Sequence, residues 1–73
     1  MITYAETCLH RAINSHALAI PFYHTRKKVN QHCRQYFFED CSMLKLLAGQ
    51  AIAYDVNGNE IRRVRTNMNK FGN

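Results

Sequence analysis

Apolar side chains recur at Val29, Cys33, Tyr36 and Phe37, the i, i+4, i+7, i+8 spacing that gathers residues on one face of a helix. This spacing predicts a helix over residues 25–38, with the Thr25 hydroxyl as N-cap accepting a bond from an otherwise unpaired backbone amide. On such a helix Lys27, Gln31 and Arg34 fall on the opposite side, and Phe38 falls there with them. One large ring then stands beside a cationic face, either as a stacking or docking residue or turned inward where the last turn frays.

Upstream, Thr3 and Glu6 form a T-x-x-E capping box, in which hydroxyl and carboxylate reciprocally satisfy amides at a helix start. Ala5, Cys8, Leu9, Ala12, Ile13, His16 and Ile20 follow one helical stripe, predicting a first helix from Tyr4 almost to Pro21, where the residue before proline is pushed out of the α region. Asn14 and Ser15 are mediocre helix formers and keep a rival open: a helix stopping near Asn14 and a short strand through Leu18, Ala19, Ile20 and Phe22.

Downstream, Ser42 can cap a short third helix over residues 43–48, closed by Gly49. Met43, Leu44, Leu46 and Leu47 surround most of it with apolar groups, so it reads as the most buried element. Residues 50–56 and 59–65 flank Asn57-Gly58, the signature of a β-hairpin whose turn needs positive φ. A two-residue turn places Tyr54 opposite Ile61, Ala51 opposite Val64 and Ile52 opposite Arg63, whereas a three-residue loop with a bulge shifts these partners. Residues 67–73 read as a frayed tail. The fold class expected is α+β, with two or three short helices followed by a C-terminal β-hairpin in a single small domain over residues 1–73.

Composition narrows the class of protein. With 73 residues, 47% hydrophobic and 21% charged, the chain has room for one thin core and is globular rather than disordered. Ten Lys and Arg against five Asp and Glu give a formal charge of +5, a field that favours acidic partners. Three cysteines, at 8, 33 and 41, match no disulfide framework and point to a reducing, cytoplasmic setting. Glu6, His10 and Arg11 interrupt the N-terminal segment too early for a signal peptide, and no apolar run approaches the ~20 residues that cross a bilayer, so no membrane partner is expected.

The candidate chemistry is cationic and aromatic. Arg26, Lys27, Lys28 and Arg34 form one basic cluster and Arg62, Arg63 and Arg65 a second, with Arg63 and Arg65 on one strand face and Arg62 on the other. If the hairpin lies beside the predicted second helix, these seven of the ten cations make one phosphate-binding surface, with Tyr54 or Phe38 available for stacking. The competing reading is a solvated edge strand guarded by charge, plus an ordinary exposed helix face.

Metal binding is not expected. Cys8-Leu-His10 and His32-Cys33 lack paired-ligand spacing, and Cys8 and Cys33 read as small core residues. Neither a Gly-rich phosphate loop nor a nucleophile elbow is present, so neither enzyme activity nor a cofactor is expected. The order of three helices and a hairpin invites comparison with a winged helix-turn-helix, but the helix that would enter the groove is too short and apolar.

Two kinds of binder remain. The first is a nucleic-acid-binding or nucleic-acid-associated regulatory module that contacts phosphates of DNA or RNA. The second is a protein-protein modulator, an inhibitor or adaptor that docks on an acidic or apolar surface through Tyr36, Phe38 and Tyr54, residue types enriched at binding hot spots. A homo-oligomer completed through the apolar third helix is a further possibility.

Overall fold

A computed structural model describes residues 2–13, 20 and 22–65. One helix, α1 (Tyr4–Ile13), precedes five strands: β1 (Tyr23–Asn30), β2 (Cys33–Phe38), β3 (Met43–Leu47), β4 (Gln50–Tyr54) and β5 (Glu60–Arg65). The strands pair antiparallel in sequence order, β1-β2-β3-β4-β5, as an up-and-down meander with β1 and β5 at its edges. The helix packs across β2 to β5, mainly on β3 and β4. Two of the three expected helices are therefore strands, and the expected order of helices followed by one hairpin is replaced by a sheet with a single helical cover.

Residues 25–38 form the β1–β2 hairpin instead of a helix. Val29, Cys33, Tyr36 and Phe37 match a helical template, but the run Cys33–Phe38 alternates between half-buried and buried positions, the period of a strand. Tyr36, Phe37 and Phe38 favour a pleated sheet over a helix. The turn is made locally, where Asn30 Oδ1 accepts a 2.7 Å bond from the His32 amide, an Asx turn that takes the place of a helical bond.

The same correction applies to residues 43–48. Met43–Leu47 is a strand with apolar residues on both faces, interrupted only by Lys45, as befits the centre of a sheet. Leu44 and Leu46 point under the helix, while Met43 and Leu47 are half-buried on the other side. Gly49 has φ 75°, but it serves the two-residue turn that brings Leu47 opposite Gln50 rather than a helix end.

At the last hairpin, Gly58 has φ 82°. Its amide donates to the Asp55 carbonyl at 3.0 Å, and Asp55 N–H donates to the Asn59 carbonyl at 2.9 Å, so the loop has three residues, 56–58. Tyr54 consequently faces Glu60 and not Ile61, and a bulge between Ala53 and Tyr54 restores Ala51 opposite Val64 and Ile52 opposite Arg63.

The helix is built from Ala5, Cys8 and Leu9, which are fully buried along one stripe. Thr3 Oγ1 accepts from the Glu6 amide at 3.1 Å, the hydroxyl half of the expected box. Further capping comes from the β2–β3 turn: Tyr4 N–H donates to Asp40 Oδ2 at 2.8 Å, and Ala5 N–H donates to Ser42 Oγ at 3.1 Å. Ser42 thus caps α1 from across the fold and not a helix of its own. Its hydroxyl and amide both donate to Asp40 Oδ1.

Desolvation acts to raise the Asp40 pKa. The bonds from Ser42 and from the Tyr4 amide outweigh it, and the carboxyl titrates below its ordinary range. Nearby, Tyr4 stacks on Phe22 with centroids 5.2 Å apart and Tyr23 meets Tyr36 edge-on at 5.0 Å. These rings tie the start of the helix and of β1 to one corner of the sheet.

The described helix runs Tyr4–Ile13, and the expectation that it reaches almost to Pro21 falls outside the described residues, as does the rival of a stop near Asn14. The expectations for His16, Leu18, Ala19, Pro21 and the tail 67–73 lie outside the described residues. Ile20 is buried in the core, and Tyr23 opens β1. No described helix is long and apolar enough to cross a membrane.

Candidate functional site

Side chains alternate across a strand, so strand register decides which cations and rings share a surface. The helix-facing side carries Tyr36, Phe38, Leu44, Leu46, Ala51, Ala53 and Val64, which join Ala5, Cys8, Leu9 and Ile20 in one core. Arg34 shares that side, opposite Leu46 and Lys28, and is only 3% exposed. Tyr36 and Phe38 are each 1% exposed. A buried ring cannot stack on a partner and a buried guanidinium cannot meet a phosphate, which removes Tyr36, Phe38 and Arg34 from the surface the sequence proposes. Phe38 belongs to the core because the strand period, not the helical one, sets its direction.

The two basic clusters do not merge either. Arg26, Lys27 and Lys28 lie on β1 and Arg62, Arg63 and Arg65 on β5, at opposite edges of the sheet. Four strand spacings of about 4.8 Å separate those edges by roughly 19 Å. Each cluster is also split between faces. Arg26 and Lys28 pair with Tyr36 and Arg34, and Arg62 pairs with Ala53, so these three belong to the helix side. Lys27 pairs with Gln35, and Arg63 pairs with Ile52, so they stand on the side that no described element covers.

On that open face the registers assemble ordered rows. The first runs Thr25, Phe37, Met43, Tyr54, Glu60 from β1 to β5; the second runs Lys27, Gln35, Lys45, Ile52, Arg63; the third runs Asn30, Cys33, Leu47, Gln50, Arg65. Phe37, Met43, Lys45, Leu47 and Tyr54 are half-buried, while Lys27, Arg63 and Arg65 are exposed. Ile52 is 2% exposed at the centre of the face, paired between Lys45 on β3 and Arg63 on β5.

Three polar contacts organise the surface. Lys45 Nζ lies 5.2 Å from the centroid of the Tyr54 ring, a cation–π geometry. Arg63 donates to Glu60 Oε1 and to Gln50 Oε1, each at 2.8 Å. The hydrogen bond and charge of Arg63 hold the Glu60 carboxyl below its ordinary pKa, and Glu60 in turn raises that of Arg63. Both partners are well exposed, so the pair contributes little to stability.

Of the residues that sequence pattern singled out, Tyr54, Lys27, Arg63 and Arg65 lie on this one face, Lys27 at one edge and the two arginines at the other. Phe37, Lys45, Met43 and Gln50 join them without having been singled out. Residue type alone does not reveal them, because Cys33–Phe38 and Met43–Leu47 carry apolar residues on both faces; the strand register is what sends Phe37, Met43 and Lys45 to one side. Among the described residues, no group of three or more His, Cys, Asp or Glu side chains could hold a metal ion. Cys33 is half-buried on the open face and Cys41 is exposed in the β2–β3 turn. Comparison with protein-family models, curated proteins and solved structures found no match.

Proposed function

We propose that this protein binds single-stranded nucleic acid on the open face of its sheet. The observation that carries the reading is the shared surface of Lys27, Lys45, Arg63 and Arg65 with Phe37 and Tyr54, on the side of the sheet opposite the helix. Cations supply phosphate contacts, and aromatic rings supply π-faces on which unpaired bases stack whatever their identity. A duplex hides its base faces, so a pleated platform of this kind favours unpaired strands. The formal charge of +5 adds long-range attraction for a polyanion.

The test is fluorescence anisotropy of a labelled oligothymidylate titrated with the purified protein. Binding at ~50 mM salt is expected, weakening as salt rises with a log-log slope of about −0.7 per phosphate contacted. A duplex of the same length should bind more weakly. The reading is abandoned if no single-stranded probe is bound at that salt. A protein ligand on the same face would give a different pattern: one or two aromatic substitutions would dominate the loss, and salt would matter less.

A further inference from the structure

We infer that a bound single strand runs across the open face from β1 to β5, perpendicular to the strands, with its phosphates along Lys27, Lys45 and Arg63 and its bases on Phe37 and Tyr54. This path rests on the single-strand reading and adds to it a direction, a length and a division of labour. It follows from the registers. Lys27, Lys45 and Arg63 occupy the same row on alternate strands β1, β3 and β5, so cations recur about every 10 Å along a line crossing the sheet.

The neighbouring row holds Phe37 on β2 and Tyr54 on β4, with Met43 between them. The cations therefore sit on the odd strands of one row and the rings on the even strands of the next. A strand laid along this boundary meets a cation on one side and a ring on the other, alternately. A path parallel to the β-strands meets no such alternation: β2 offers one ring and no cation on this face, and β3 one cation and no ring.

Contacts within the free protein fit the same path. The Lys45 ammonium lies over the Tyr54 ring, so its transfer to a phosphate uncovers the face on which the base stacks. Arg63 is held by Glu60, whose carboxylate stands at the β5 end of the ring row and repels an incoming phosphate. Glu60 therefore opposes binding. The row spans about 19 Å, which corresponds to a short site on the order of 4 nucleotides, at the low end for small single-strand-binding folds.

The experiment compares Lys27→Ala, Lys45→Ala and Arg63→Ala with Arg26→Ala, Lys28→Ala and Arg62→Ala, using labelled oligothymidylates of about 4 to about 12 nucleotides. Each substitution in the row should flatten the salt slope by about 0.7, and the three on the helix side should leave it unchanged. An abasic probe tests the rings without altering the protein. It should bind wild type about fivefold to a hundredfold more weakly, and Tyr54→Ala should then cost nothing further. Glu60→Gln should tighten binding about twofold to fivefold.

If wild type binds but the helix-side substitutions flatten the slope as much as the row does, the path is overturned while the single-strand reading stands. Equal binding of abasic and normal probes also overturns the path. If wild type binds no probe at all, both the path and the reading fall. Circular dichroism of each variant identifies any loss of fold, and the abasic measurement on wild type is independent of it.

Discussion

The two faces of the sheet are built from the same strands and obey different rules. On the helix side Leu44, Leu46, Ala51 and Ala53 are 0–1% exposed and form one core with Ala5, Cys8 and Leu9. On the open side their immediate neighbours Met43, Leu47 and Tyr54 are half-buried, and Lys45 stands among them. The first face is closed by close-packed apolar surface and cannot accept a ligand without unfolding. The second keeps rings and cations in contact with solvent, held in place by strands whose position the first face fixes. On the proposed reading, stability and binding fall to alternate residues of one short stretch.

The largest expected effect separates the faces directly. Leu44→Ala should cost about 2–5 kcal/mol, because it leaves a cavity in packed surface, whereas Met43→Ala, one residue away on the open face, should cost less than half as much. Urea denaturation of the two variants measures the difference. Equal losses would mean that the open face is covered as tightly as the other.

Gly58→Val should cost about 1–2 kcal/mol. An added Cβ meets no neighbour within 4 Å, so the expense comes from φ 82° and not from crowding. A melting temperature equal to wild type would show that the loop does not require the left-handed conformation. Ser42→Ala should cost about 1 kcal/mol by removing the oxygen that caps Ala5. The variant should still bind an oligothymidylate with wild-type salt dependence, since the capping hydroxyl faces the helix, on the other side of the sheet from the cation row. Loss of binding with intact circular dichroism would break the separation of the two faces.

The smallest effect lies at acid pH. Asp40 titrates lower in the folded protein than the ordinary 3.8, so its contribution is complete above that ordinary value and is lost as pH falls through the lower folded one. Asp40→Asn should therefore narrow the stability gap to wild type as pH drops below about 4. A gap that widens on acidification would contradict the sign.

How much of this was legible in the chain follows from where each local signal had competition. The start of α1 could be read because Thr3 and the stripe Ala5, Cys8, Leu9 agree on one period. The last hairpin could be read because Asn57-Gly58 agrees with the β-rich runs beside it. β2 and β3 were misread because central strands are apolar on both faces: Tyr36, Phe37 and Phe38, or Leu46 and Leu47, show no clean alternation and fit a helical stripe equally well. The basic triplet of residues 26–28 is plain in the sequence, but its division between faces is a property of register. Register depends on turns and bulges that the residues themselves do not announce.

The cap on α1 has a kinetic side. Every strand pairing in the meander joins neighbours through a short connection, a local event of the microsecond class for an isolated hairpin. The Ala5 amide and the Ser42 hydroxyl are 37 residues apart in sequence. The helix can receive its cap only after β2 and β3 have turned back on each other, so it should dock as a late arrival on a sheet already assembled. In a chevron analysis the destabilisation of Ser42→Ala should then appear chiefly as faster unfolding, with the refolding rate little changed. A slowed refolding limb would instead place the helix and its distant cap in the folding nucleus.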